Sequence, residues 1–114
     1  MKRALRASFS DAFRGLVESL AAQRNLRIHF AAGAAAVIGG AIAGLRPLEW
    51  AVLLIVIALV ITAELFNTAL EAVVDLISPE YRPVAGLAKR AAAAAVLVLA
   101  ATSVAVGAFI FLWN

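Results

Sequence analysis

The sequence predicts an all-α integral membrane protein in which an N-terminal amphipathic surface helix precedes three transmembrane helices. The chain has 114 residues, of which 65% are hydrophobic and only 15% charged, whereas soluble domains average about 25% charged residues. Its mean hydropathy is +1.00. Three apolar runs reach or approach the ~20 residues that cross a bilayer. Such runs must be helical, because lipid offers backbone groups no other hydrogen-bond partner.

The N-terminal segment, residues 1–28, is not apolar enough to be a span. Its large apolar residues recur at helical spacing, and polar residues occupy the other faces; the apolar set is Leu5, Phe9, Phe13, Leu16 and Leu20. A basic amphipathic helix beside a span is typical of a segment that lies in the membrane interface. We therefore predict that residues 1–28 form a surface helix of a single membrane-embedded domain, residues 1–114.

The three spans are predicted over residues 29–46, 49–77 and 86–113. The first contains "GAIAG" (40–44), a pattern of small residues that lets helices approach closely, either within one subunit or between subunits. Trp50 and Trp113 occupy the ends of the second and third spans, as interfacial anchors do. His29 begins the first span, where we expect it to reach towards the interface.

Basic residues are distributed unevenly along the chain. Of ten Lys and Arg residues, six precede the first span, one lies in the connecting stretch "RPLE" (46–49), three lie in "SPEYRPVAGLAKR" (78–90), which leads into the third span, and none follows that span. The positive-inside rule therefore predicts a cytoplasmic N-terminus and an outward C-terminus. The pI near 10.2 then reflects topology, and without an aromatic stacking pattern it does not indicate a nucleic-acid partner. The absence of cysteine excludes disulfides and thiolate metal sites.

The stretch "TAELFNTALEAVVDLISPEY" carries a polar face into the second span. Glu64, Asn67, Glu71 and Asp75 follow one another at intervals of three, four and four, so they share one helix face. At ~1.5 Å rise per residue, Glu64 lies about 21 Å and Glu71 about 32 Å along the helix from Trp50. With a hydrocarbon core of ~30 Å, Glu71 falls near the cytoplasmic boundary and Glu64 one to two turns inside it.

A carboxylate at that depth is costly, of order 2.5–3.5 kcal/mol at a helix centre and less near the boundary, which points to function. One class of function is phosphoryl transfer: Glu71 would hold nucleotide-bound Mg²⁺, Glu64 would accept a proton from a membrane hydroxyl, and Lys89 would contact phosphates. Another is a proton or cation pathway in an oligomer. A third alternative is structural pairing with Lys89, Arg90 or Arg24.

The residues alone do not choose between these classes. The chain has no Walker A motif and no glycine-rich nucleotide loop. Three helices enclose little space by themselves, so the polar groups favour a homo-oligomer with sites between subunits.

Three blocks, "RNLRIHF" (24–30), "AELFNTALEAVVDLISPEY" (63–81) and "LAKRAAAAAV" (87–96), resemble the prokaryotic diacylglycerol kinase family, which includes the undecaprenol kinases of Gram-positive bacteria. The resemblance runs from "FRGL" at residue 13 into the third span, and "RNLRIH" and "RPLEW" are more similar to the undecaprenol-kinase branch. It implies a homotrimer in the bacterial inner membrane with active sites shared between subunits. It also implies Mg-ATP-dependent phosphorylation of a lipid alcohol, undecaprenol or diacylglycerol, at the cytoplasmic interface.

The resemblance implies a role for each polar residue. Glu64 matches the family's general base, Glu71 a carboxylate that coordinates the metal, and Asn67, with Thr68 beside it, an active-site support on the same helix. The positions implied for nucleotide binding are Glu71, Asp75, Lys89 and Arg24. These roles agree with the depths above, since the base lies deeper than the metal ligand.

Two positions depart from the family pattern. The family can use a glutamate as a metal ligand just before "RNLRIH", where this chain has Gln23, an uncharged carbonyl donor. The family's Lys is followed by Asp, whereas Lys89 is followed here by Arg90, a reversal of about two charges. Both changes keep open a catalytically degenerate member with a lipid-binding or modulating role, ahead of a cation-conducting oligomer.

Overall fold

The computed structural model describes residues 2–113, with side chains from residue 4 onward. It contains four helices, α1 (Lys2–Ala22), α2 (Arg24–Ala43), α3 (Pro47–Ile77) and α4 (Pro83–Leu112), and no strand within the described residues. Helices α2, α3 and α4 are each long and apolar enough to cross a membrane. The predicted all-α fold with three membrane-spanning helices is confirmed.

The connection between α2 and α3 contains residues that typically end one helix and begin the next. Helix α2 ends at Gly44, whose φ of +71° lies in the left-handed region that glycine adopts without a steric penalty. Helix α3 begins with Pro47 at its first position, where a missing N–H costs nothing. The backbone N–H of Arg46 donates to Glu49 Oε1 at 2.9 Å, as in a capping box. These signals make the turn between α2 and α3 short.

The first two helices are separated at Gln23, which has an extended backbone with φ −114° and ψ 112°. Residues 24–28, assigned above to the surface segment, therefore form the first turns of α2. The guanidinium of Arg27 donates to the carbonyls of Leu20 at 2.8 Å and Ala21 at 3.0 Å, which are among the carbonyls that α1 leaves without helical partners. Leu26 beside it is fully buried. The corner between α1 and α2 is thus held by both packing and hydrogen bonds.

The membrane borders are a separate matter from the helix ends, because a helix can begin in the interface. The predicted borders at residues 29–46, 49–77 and 86–113 stay predictions. At ~1.5 Å per residue, the 31 residues of α3 extend about 46 Å, well beyond a ~30 Å hydrocarbon core. Helix α3 is therefore long enough to extend beyond the hydrocarbon core, which is compatible with the predicted position of Glu71 at the boundary.

The spans pack through a small core at the end opposite the polar face. Leu45, Leu53 and Ile110 form its buried centre, with Trp50 and Phe111 against it. Trp50 is therefore a packing residue as well as a candidate interfacial anchor. The contact of Leu53 on α3 with Ile110 on α4, at the far end from the connecting loop, shows that these two helices run antiparallel along their length.

The two glycines of "GAIAG" serve different purposes. A Cβ atom on Gly40 would lie 2.9 Å from both Leu45 Cδ1 and the Trp50 ring, so Gly40 permits close packing inside the subunit. Gly44 is the C-cap of α2. The close approach that this pattern predicts is thus made within one chain at Gly40.

Most other large apolar side chains face outward, including Phe9 on α1, which is 71% exposed. An apolar exterior of this extent suits a lipid environment. The location of α1 in the membrane interface accords with this exposure and remains a prediction.

Candidate active site

The polar face of α3 runs from the protein interior to its surface. Glu64 is 3% exposed and is the buried charged residue of the described part of the chain. Asn67 and Glu71 are half-buried, and the Asp75 side chain is 62% exposed. The four residues extend about 16 Å along the helix axis. We call the buried end of this face, at Glu64, its dry end and the exposed end, at Asp75, its wet end.

The dry end contains a contact that the sequence analysis missed. His29 Nε2 of α2 lies 3.4 Å from Glu64 Oε1, and the His29 side chain is 24% exposed. His29 thus faces α3, whereas its expected reach towards the interface stays a prediction. Thr68 Oγ donates to the backbone carbonyl of Glu64 at 2.9 Å, so its hydroxyl proton is used within the helix.

No sequence signal identifies the His29 partner directly. His29 is the chain's single histidine and lies 35 residues before Glu64. Only the rotation of α2 against α3 determines whether these side chains meet. An ionisable residue at the start of a span is nevertheless a reason to search the other helices for a carboxylate at equal depth.

The middle of the face pairs an amide with a carboxylate. Asn67 Nδ2 donates to Glu71 Oε1 at 3.2 Å. The other amide atom, Asn67 Oδ1, is buried and has no hydrogen-bond partner among the described residues. Because buried acceptors are rarely left without partners, this atom marks a place for a donor or a cation.

The oxygen donors at this point fit Mg²⁺. Carboxylate and amide oxygens are the ligands that hard cations prefer, and Mg²⁺ is commonly held by one or two protein groups together with substrate phosphates. Glu71 and Asn67 supply such a pair. Within the described part of the chain, no three His, Cys, Asp or Glu side chains come together to form a complete metal site.

The wet end carries an ion pair between helices. Lys89 Nζ of α4 donates to Asp75 Oδ1, joining the two predicted nucleotide-side positions next to the loop between α3 and α4. A shallow cavity beside this pair is lined by loop residues including Tyr81 and Arg82. Both members of the pair are substantially exposed, so the pair contributes little to stability and remains accessible.

Three other predicted site residues are not joined to this face. Gln23 caps α2 without a side-chain capping hydrogen bond, and Arg24 is exposed at the start of that helix. Arg90 is exposed, and its Nη1 lies 3.0 Å from where a Cβ of Gly86 would be, close to the Tyr81 ring. Within one chain, the Arg90 guanidinium therefore folds back over the first turn of α4.

An apolar groove lies between the three spans next to Glu64. It has a volume of about 190 Å³ and includes residues of α2, α3 and α4, among them His29, Gly33, Val60, Ser103 and Gly107. No side chain occupies the space at Gly107, since an added Cβ would meet nothing within 4 Å. The groove could receive part of a hydrocarbon chain with its polar end at His29.

Known proteins resemble this chain over the whole of this arrangement. Residues 10–111 match the family described as prokaryotic diacylglycerol kinase. An undecaprenol kinase from Bacillus subtilis is 42% identical over 105 residues, which cover 92% of this chain and 85% of that protein. A diacylglycerol kinase from Synechocystis is 41% identical over 109 residues, 95% of this chain but 62% of that protein. The chain thus spans less than two thirds of the Synechocystis relative.

Proposed function

The chain belongs to the prokaryotic diacylglycerol kinase family, as its sequence predicted, and from this membership we propose that it is a membrane lipid kinase. It transfers the γ-phosphoryl group of ATP to the hydroxyl of a lipid alcohol at the cytoplasmic interface. The observation that carries this proposal is the buried Glu64 at the inner end of a polar face that opens to the surface at Asp75. The kinase names of both relatives favour an active enzyme over the degenerate alternative.

Glu64 is proposed as the general base. Its carboxylate borders the apolar groove through His29, where the hydroxyl of a lipid can arrive with its chain in the groove. Removing the hydroxyl proton as the oxygen attacks phosphorus makes the acceptor a better nucleophile. The apolar surroundings also keep water away from the base, which disfavours hydrolysis of ATP in place of transfer.

Glu71 and Asn67 are proposed to hold Mg²⁺ through the Glu71 carboxylate and the buried Asn67 Oδ1. When bound with ATP, the ion would neutralise charge on the phosphates. The hydrogen bond from Asn67 to Glu71 fixes both oxygens relative to each other. Lys89 and Asp75 would position the nucleotide from the wet end of the face.

The site of one chain is proposed to be completed by a second subunit in a homotrimer. Glu71 and Asn67 form only part of a metal site, and Gln23 and Arg24, at the corner of α1 and α2, are exposed or half-buried. In an oligomer this corner could face the polar face of a neighbour, adding the Gln23 carbonyl to the metal and Arg24 to the phosphates. The protein would lie in the bacterial inner membrane with its N-terminus in the cytoplasm.

A lipid kinase assay tests the proposal. Protein purified in micelles is given Mg-ATP with undecaprenol or with diacylglycerol, and labelled lipid phosphate is followed. Glu64→Gln and Glu71→Gln each abolish product, whereas Asp75→Asn only weakens it. Glu18→Gln is the matched control, because Glu18 is exposed on α1 away from the polar face.

The assay compares both lipids as acceptors, since the relatives named for them are 42% and 41% identical to the chain. If folded protein phosphorylates neither lipid, the kinase proposal fails. Recovery of activity in Arg90→Asp would then identify the departure at position 90 as the cause. A voltage-driven proton current in liposomes would instead support the cation-pathway alternative, since a kinase shows none.

A further inference from the structure

We propose that His29 is a positioning residue for Glu64, a role that rests on the proposed function of Glu64 as the base. His29 Nε2 is 3.4 Å from Glu64 Oε1. Among residues 4–113 this is the one polar side-chain contact that the Glu64 carboxylate makes. Because buried polar groups normally have at least one polar partner, this single side-chain contact is the one that can orient the carboxylate.

The described residues of helices α1 and α4 provide no further polar contact to the Glu64 carboxylate. Helix α4 runs antiparallel to α3 and pairs with it at Lys89–Asp75 and at Ile110–Leu53, which sets residues near 100 opposite Glu64. The stretch 91–101 has no polar or ionisable side chain, and the hydroxyls of Thr102 and Ser103 that follow it donate to backbone carbonyls of α4. On α1, the described charged side chains are all exposed.

The polar neighbours on α3 itself make their hydrogen bonds to other groups. Asn67 donates to Glu71 at 3.2 Å, and the Thr68 hydroxyl donates to the Glu64 carbonyl at 2.9 Å. Among the described residues, neither side chain makes a hydrogen bond to the Glu64 carboxylate. His29 from α2 is therefore the group that turns one Glu64 oxygen towards α2 and leaves the other for a substrate hydroxyl.

The location of His29 makes this role specific. It lines the apolar groove and is partly exposed, so it lies where the groove meets the polar face. A substrate hydroxyl entering along the groove passes His29 before it reaches Glu64. Orienting the base at that point fixes the direction from which the hydroxyl proton is removed.

Two substitutions at position 29 distinguish the effect of an N–H donor from the effect of side-chain size. His29→Gln keeps an N–H donor at about the position of Nε2, and His29→Met has a similar length without a donor. Because a misplacement of ~1 Å can cost ~100-fold in rate, we expect kcat to fall about 10- to 100-fold in His29→Met and less than about 5-fold in His29→Gln. The KM for ATP should stay within about 2-fold, since His29 lies away from the proposed nucleotide positions and ATP loses no binding contact.

A spectroscopic measurement tests the contact without any activity. The chain has one histidine, so ¹⁵N-histidine labelling of protein purified without a histidine tag reports His29 alone. The wild-type ring N–H signal should be slowly exchanging, and it should shift and exchange faster in Glu64→Met, which has no acceptor. If wild-type protein makes no lipid phosphate, the proposed function fails while this measurement still decides the contact.

Three results would overturn the role of His29. The first is a wild-type kcat in folded His29→Met. The second is an equal loss in His29→Gln and His29→Met, because a donor at the Nε2 position would then not be what matters. The third is a ring N–H signal that Glu64→Met leaves unchanged, which would mean that the two side chains do not interact in the membrane.

Discussion

Replacing Glu64 by methionine should make the protein more stable while it abolishes catalysis. A residue retained for chemistry at an unfavourable site carries a stability cost, whereas a residue retained for structure stabilises the fold. Methionine has nearly the length and volume of glutamate, so the substitution leaves no large cavity. The sign of the stability change therefore distinguishes a functional Glu64 from the structural pairing considered above.

The magnitude follows from the position of Glu64 and from its single partner. An acidic side chain costs of order 2.5–3.5 kcal/mol at the centre of a membrane helix and less towards the boundary, so about 2 kcal/mol applies one to two turns inside. Against this, Glu64→Met loses the contact with His29, and a hydrogen-bond-scale interaction contributes about 0.5–1.5 kcal/mol. The net expectation is a gain of about 1 kcal/mol in the free energy of unfolding.

The assay is reversible unfolding in mixed micelles by titration with a denaturing detergent, followed by circular dichroism or Trp fluorescence. Glu71→Met is the matched comparison, because Glu71 is half-buried and nearer the boundary, so its gain should be less than half as large. A loss of 1 kcal/mol or more in Glu64→Met would refute this reasoning and show that Glu64 contributes to the fold.

Two further predictions concern the groove and the helix corner. Gly107→Leu fills the groove, so the KM for the lipid should rise about 5-fold or more while the KM for ATP stays unchanged. Ala108→Leu, on the exposed side of α4, is the control and should change neither KM. Equal effects of both variants would exclude the groove as a lipid site. Arg27→Met removes the two hydrogen bonds to the end of α1, each of which contributes about 0.5–1.5 kcal/mol. The rate of hydrogen–deuterium exchange at residues 20–26 should therefore rise about 5-fold or more. Arg24→Met is the control for the loss of a positive charge. Unchanged exchange in Arg27→Met would mean that the corner is held by the packing of Leu26 alone.

The spans and the polar face could be predicted from the sequence because lipid leaves so few structural choices. A long apolar run in a bilayer must be a helix, and helical periodicity then puts Glu64, Asn67, Glu71 and Asp75 on one face. In the structure, burial within the protein decreases from Glu64 to Asp75, while their depth in the membrane stays a prediction. Each of these inferences uses the sequence of a single helix and requires no knowledge of how the helices pack against one another.

The contacts between helices could not be predicted in the same way. His29 meets Glu64 only because α2 and α3 have a particular relative rotation, and periodicity carries no information about rotation. The same holds for Gly40, which could equally have packed against another subunit until the position of Trp50 was known. The resemblance assigns Gln23 and Arg24 to the site and marks Arg90 as a departure from the family pattern, and within one chain all three stay apart from the polar face.

The separation of the two glutamates argues against a shared acid–base role and for a lipid acceptor. Glu64 and Glu71 are two turns apart, about 10.5 Å along the axis, whereas groups that exchange a proton with one atom must both lie within ~3.2 Å of it. The two carboxylates also have different neighbours, His29 of α2 for Glu64 and Asn67 of α3 for Glu71, so we expect them to act on different atoms. Glu64 is buried beside the apolar groove, so the substrate hydroxyl that it deprotonates has to belong to a molecule whose hydrocarbon chain fits the groove. On the proposed mechanism a soluble alcohol, arriving from the wet end where ATP binds, does not reach the base, and selectivity for membrane lipids follows from the burial of Glu64 itself.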